Sequence, residues 1–179
     1  LILIHTHSFE YKYIWEHTSK SLPFYYQFSA MWSGQEGSTL LWMFWHGVLG
    51  CVLIFKAKEW ESPVLSIVAL AQVLLGSMLL GIHLFGYKFG SSPFALMRDT
   101  MDIPVFKMNP DWVAEDGTGL NPSLQNYWMV IHPPTLFLGF AACTIPAAYA
   151  IASLWVKDFT GWIKPVLPWS LFAMMILGT

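Results

Sequence analysis

Long apolar runs divide the chain. Residues 37–55, 62–85 and 133–156 hold no charged side chain over 19, 24 and 24 positions, and a fourth run fills the last 15 residues, 165–179. About 20 apolar residues wound as a helix cross the hydrocarbon core of a bilayer. The first three runs are therefore predicted to be membrane-spanning helices and the fourth the start of another. Residues 1–4, Leu-Ile-Leu-Ile, read as the end of an earlier span. A chain that opens without methionine and closes inside an apolar run is expected to be a piece of a longer polytopic protein. The fold class expected is all-α: one membrane domain, a polytopic transmembrane helix bundle with a long loop at residues 86–132.

The connections between the runs set an orientation. Residues 56–61 and 157–164 are short and carry Lys56, Lys58, Lys157 and Lys164. The 47 residues of 86–132 carry Lys88, Arg98 and Lys107 beside five acidic residues. Positive charge concentrates on the cytoplasmic side, which places the short turns inside and the long loop outside. That loop is rich in Pro, Gly, Asn and Asp, a structured-loop composition. Tyr11, Tyr13, Trp15, Tyr25, Tyr26, Trp32, Trp112, Tyr127 and Trp128 fall on the outer side, where an aromatic interface belt accounts for many of them.

Composition agrees. The 179 residues are 55% hydrophobic and only 11% charged, against about a quarter charged in soluble domains. Net charge is −2, with no basic stripe, so nucleic acid is not an expected partner; membrane lipid is. Cys51 and Cys143 lie inside apolar runs without CxxC spacing and read as packing residues. No Ser-His-Asp order, P-loop or metalloprotease helix appears, which leaves hydrolytic and nucleotide-driven chemistry without support.

The strongest candidate for chemistry is His132, followed at once by Pro133 and Pro134. Proline is tolerated in the first turn of a helix. His132 is therefore expected just outside a helix, at the water boundary and the positive end of the dipole, where neutral, metal-ligating imidazole is favoured. The other reading is a histidine that only caps the helix. Ser33 and Glu36 have capping-box spacing at the start of the first run. His46 lies about 15 Å into that run, either packed against a neighbouring helix or handling protons. His83 lies near the outer end of the second run, at a different depth from His46, and could meet His132. His5, His7 and His17 are expected to be solvated or packed.

Two stretches carry a family resemblance. Trp32-Ser33-Gly34-Gln35-Glu36-Gly37-Ser38 with Leu40-Leu41-Trp42, preceded by Leu22-Pro23-x-Tyr25-Tyr26, resembles one element of the CcmF family. Leu120-Asn121-Pro122-x-Leu124-Gln125-Asn126 followed by Ile131-His132-Pro133-Pro134 resembles that family's outer-loop element. The resemblance implies the haem lyase component of system I cytochrome c maturation, or its nitrite-reductase paralogue NrfE. Such a protein sits in the bacterial inner (cytoplasmic) membrane with its functional face periplasmic. It takes haem b from a CcmE-type haem chaperone and, with a CcmH-type thiol protein, joins it to the CxxCH cysteines of apocytochrome c as haem c. His132 matches the first of two periplasmic haem-ligating histidines. Trp128 and Tyr127 are candidates for contact with haem or chaperone, Pro133 and Pro134 pin the ligand, and Glu36 and Gln35 are partner or helix-start residues. No residue is assigned as catalytic. The family's tryptophan-rich haem platform, its second periplasmic histidine and its two membrane histidines have no counterpart here. The chain alone is accordingly expected to bind haem poorly and to be inactive. Two alternatives stand beside this: a non-catalytic haem-handling or export membrane protein, and a structural membrane subunit of a respiratory complex with His132 as a cap.

Overall fold

The computed structural model describes residues 1–178, with the side chains of all but His83 and Leu84. Thr179, which closes the expected fourth run, and the side chain of His83, which could meet His132, lie outside the described residues. The chain, read as one membrane domain, groups into two compact units: residues 39–77 with 133–179, and residues 1–38 with 78–132.

The first of these units is built on the apolar runs. Helices α4 (Gln35–Lys56), α5 (Glu61–Leu80), α8 (Tyr127–Val156) and α9 (Ile163–Leu177) supply it. α4, α8 and the stretch Lys58–Leu80 are long and apolar enough to cross a membrane, with mean hydropathies of 1.7, 1.7 and 2.1. The packed face of α8 is Ala141, Ala142, Ile145, Ala148, Tyr149 and Ala152, all buried. Four alanines on that face let helix backbones approach closely, which is how helices associate where water cannot drive them together. Leu49 and Leu53 of α4, Val64 and Val68 of α5 and Val166 and Ala173 of α9 complete the core. The other faces stay apolar as well: Leu70, Val73 and Leu74 of α5 are 55–67% exposed. A helix apolar all round, with its outer face uncovered, is matched to lipid.

The second run does not stay helical to residue 85. α5 ends at Leu80, because Gly81 turns the backbone to φ +66°, a conformation that ends helices and suits glycine. An antiparallel hairpin follows, β1 (Ile82–Leu84) paired with β2 (Tyr87–Phe89). Phe85 and Gly86 between them have φ +51° and +83°, the sign that a tight two-residue hairpin turn needs. The structure is thus mostly helical, as expected of an all-α chain, with this hairpin as the exception.

Residues 1–38 and 78–132 fold together. They contribute the short helices α1 (Ile2–His5), α2 (Lys12–His17), α3 (Phe24–Met31), α6 (Met97–Thr100) and α7 (Pro104–Met108). Ile4, Phe9, Tyr13, Ile14 and Ala114 form one small core, and Leu22, Ala30 and Leu120 a second. Backbone hydrogen bonds join the segments: Lys12 N–H to Ala95 O at 2.9 Å, Met97 N–H to Glu10 O at 2.9 Å and Thr118 N–H to Trp15 O at 2.8 Å. Asp116 accepts from the Lys20 amide at 2.8 Å, and that bond holds its carboxyl below the usual range. The long loop of structured composition is therefore one half of a folded unit. Its aromatics are more than a belt: Tyr13 is 6% exposed, and Tyr11, Trp15 and Trp112 pack against the same core.

Candidate functional site

The start of α8 differs from the sequence expectation. Asn126 accepts from the Met129 amide through its side-chain oxygen at 3.1 Å. That is an N-cap contact, the side chain satisfying an amide that the first turn leaves without a partner. The helix consequently begins at Tyr127, six residues before Pro133. His132 lies in its second turn rather than outside it. The dipole argument for a neutral ring weakens accordingly, since that field fades beyond the first turn.

Pro133 and Pro134 are then interior prolines. Each lacks the N–H that would bond the carbonyl four residues back, and an interior proline costs about 3 kcal/mol. Pro133 leaves the Met129 carbonyl without its helical donor. The indole N–H of Trp32 takes that place, donating to Met129 O at 2.9 Å. Next to it the Tyr26 hydroxyl donates to Gln125 O at 2.8 Å, and the Gln125 amide donates to Leu120 O at 2.8 Å. The two sequence elements that carry the family resemblance are thus bonded to one another.

Trp32 is itself held. The Tyr13 hydroxyl donates to Met31 O at 3.0 Å and accepts from the Gly34 amide at 3.1 Å; burial pushes its pKa up to about 12. Ser38 Oγ donates to Trp32 O at 3.0 Å. A Cβ on Gly37 would overlap the Met31 carbonyl and crowd the Tyr13 hydroxyl, so the chain passes this point only as glycine. The capping box expected of Ser33 and Glu36 is not formed. Ser33 Oγ donates back to Ala30 O at 2.9 Å, and the amide at Gly34 is taken by Tyr13, 21 residues upstream.

His132 is exposed, and among the described residues no protein group bonds its ring nitrogens. Trp128, four residues earlier and so on the same face of α8, is 71% exposed. Tyr127, 67% exposed, packs edge-on against Trp128 with ring centroids 5.6 Å apart. Among the described residues no three His, Cys, Asp or Glu side chains gather as a metal site. A free imidazole beside two uncovered aromatic rings fits one axial bond to a planar ligand approaching from the surface. Glu36 is apart from this face. With Lys12, Glu16, Lys88 and Asp99 it lines a polar pocket of about 330 Å³. Gln35 is exposed at the start of α4.

The other histidines whose side chains are described are engaged. Buried His46 bonds Thr144 Oγ1 at 2.9 Å through Nε2 and stacks on Trp42, which is the packed arrangement between helices. His17 bonds Tyr13 O at 2.9 Å and stacks on the Tyr13 ring. His7 bonds His5 O, and His5 meets Gln27. The residues that sequence reasoning missed are the positioning groups Tyr13, Tyr26, Trp32 and Asn126. Their partners are backbone carbonyls and amides, which leave no side-chain pattern to read.

Relatives align along nearly the whole chain. The cytochrome c-type biogenesis protein CcmF of Haemophilus influenzae is 34% identical over 178 residues, covering 98% of this chain and 25% of the relative. The Escherichia coli CcmF is 32% identical over 171 residues, 94% of this chain and 24% of the relative. The probable cytochrome c-type biogenesis protein NrfE of Escherichia coli is 29% identical over 175 residues, 93% of this chain and 28% of the relative. The chain spans about a quarter of the length of the curated relatives it matches. No solved structure matches it. The model of the cytochrome C assembly protein family matches residues 32–177. That match begins at Trp32 and takes in the helix its indole supports, and with the relatives it makes this chain a member of the cytochrome c assembly protein family.

Proposed function

We propose that this chain is the part of a cytochrome c haem lyase that presents one axial ligand, His132, to the haem awaiting attachment. What supports the reading is family membership joined to one observation: His132 is an exposed imidazole without a protein partner among the described residues, on a helix turn held from outside by Trp32. Haem arrives from a CcmE-type chaperone, and a CcmH-type thiol protein delivers apocytochrome c with reduced CxxCH cysteines. Attachment adds each thiol across a vinyl group. The S–H bond and the vinyl π bond break, a C–S and a C–H bond form, and no external oxidant is needed. The task left to the protein is to hold two large partners in register, which can supply much of the barrier lowering. His132 fixes the iron and with it the ring plane; Trp128 and Tyr127 offer flat apolar surface beside it.

The geometry of α8 suits a membrane-edge site. With Lys157 at one boundary, a hydrocarbon core of about 30 Å is crossed in about 20 residues. His132 then stands roughly a turn and a half beyond the core on the opposite side, with Trp128 and Tyr127 further out. We assign that side to the periplasm and the membrane to the bacterial inner membrane, because the lysine-rich turns belong to the cytoplasmic face.

The test is His132→Ala in the full-length protein. Changes to outer partners of a metal ligand already cost about 10–100-fold, so loss of the ligand itself should lower covalent cytochrome c at least about tenfold. Haem co-purifying with the protein should fall in parallel. Unchanged cytochrome c levels would refute the ligand role. Loss of co-purified haem with normal attachment would point to haem handling without lyase chemistry.

A further inference from the structure

A groove lies far from His132 along the sequence, where α4 ends and α9 begins. It has a volume of about 910 Å³ and two unlike parts. Leu49, Val52, Trp169 and Phe172 line an apolar trough. Lys56, Lys58 and Lys164 stand in its lining against a single carboxylate, Glu59, and all three lysines are exposed. Lys164 belongs to the first turn of α9, the positive end of that helix. Volumes of about 300–1,000 Å³ are those of small-ligand sites, and an apolar trough with a cationic mouth at the edge of a membrane-spanning helix has the charge pattern of one ligand class. A free soluble anion would leave the trough uncovered. A neutral lipid would leave three ammonium groups with Glu59 as the one counter-charge in the lining.

We propose that this groove binds an anionic phospholipid, its phosphate held by Lys56, Lys58 and Lys164 and its acyl chains lying along Val52, Trp169 and Phe172. Lysines close to a bilayer surface each contribute attraction to anionic lipid worth about a factor of five. Such a lipid fixes the α4 end against the α9 start from below, independently of anything bound at His132.

The test is native mass spectrometry of the full-length protein, delipidated and then titrated with phosphatidylglycerol or with phosphatidylcholine of the same acyl chains. One phosphatidylglycerol should be retained at least fivefold better than phosphatidylcholine. The Lys56→Gln/Lys58→Gln/Lys164→Gln variant should lose that preference, while Lys20→Gln/Lys88→Gln/Lys107→Gln should keep it. Val52→Trp, at a position 40% exposed, keeps the charges and fills the trough, so it should also release the lipid. Equal retention of the two lipids would overturn the proposal. So would a triple lysine variant that binds as before, the result expected if another segment of a longer protein covers the groove. Retention unaffected by Val52→Trp would reduce the lysines to diffuse surface attraction and overturn it as well.

Discussion

Replacing Trp32 by phenylalanine tests the central structural inference, that an indole N–H stands in for the amide missing at Pro133. The substitution keeps an aromatic ring at a half-buried position and removes the 2.9 Å bond to Met129 O. Two costs follow. A half-buried carbonyl left without a donor costs about 1–3 kcal/mol, and the lost apolar area about 1 kcal/mol. Trp32→Phe should therefore destabilise by about 2–4 kcal/mol. Pro133→Ala restores an N–H at residue 133, which can bond the Met129 carbonyl within the helix. In that background Trp32→Phe should cost only the area contribution, about 1 kcal/mol. The double-mutant cycle should then give a coupling of about 1–3 kcal/mol, well above the ~0.3–0.5 kcal/mol scatter of independent sites. Equilibrium unfolding of the full-length protein in mixed micelles, followed by far-UV circular dichroism across an SDS titration, measures all four corners. An equal cost of Trp32→Phe in both backgrounds would show that the bond does not compensate for the proline.

Other outcomes are expected from the same geometry. Gly37→Ala places a Cβ onto the Met31 carbonyl and should destabilise by more than about 3 kcal/mol, whereas Gly47→Ala, with nothing within 4 Å of the added carbon, should be tolerated; protein level and unfolding midpoint compare the two. Tyr13→Phe removes a hydroxyl that both donates and accepts and should cost about 1–3 kcal/mol. Because the Tyr13 pKa is raised from 10.0 to about 12, its contribution is complete below pH 10 and is lost as pH rises through about 12. Stability measured from pH 9 upward should fall less steeply in the phenylalanine variant. Thr144→Val leaves both ring nitrogens of buried His46 without a partner and should lower the unfolding midpoint by an amount equivalent to about 1–3 kcal/mol, with cytochrome c attachment per folded molecule unchanged.

Much of this architecture was legible in the residues and some was not, for physical reasons. Runs of 19 to 24 uncharged residues translate directly into long helices, because nothing within them competes with the backbone's own hydrogen bonds. Gly81 closed the second helix five residues early, since hydropathy does not register a left-handed backbone. His132 stood out as a lone imidazole at an apolar boundary. Its placement was misread because two prolines signal a helix start only where no outside donor exists, and Trp32, 97 residues away from Met129, supplies one. The true start was written in Asn126, an ordinary N-cap residue overshadowed by the prolines. The Ser33–Glu36 spacing fitted a capping box, but the Ser33 amide and hydroxyl both turn back to the Ala30 carbonyl. Local pattern reports local competition, and the misreading at His132 turned on a partner from another part of the chain.

The two-segment construction of the unit holding residues 1–38 and 78–132 bears on biosynthesis. Its halves are joined by amide-to-carbonyl bonds such as Lys12 to Ala95, yet α4 and α5 are synthesised between them. Those bonds can close only after the second half has been synthesised, so the first half waits for it. Folding of this unit is thus a late event in synthesis, and the turn that carries His132 is completed only when Tyr26 and Trp32 meet carbonyls made 99 and 97 residues after them.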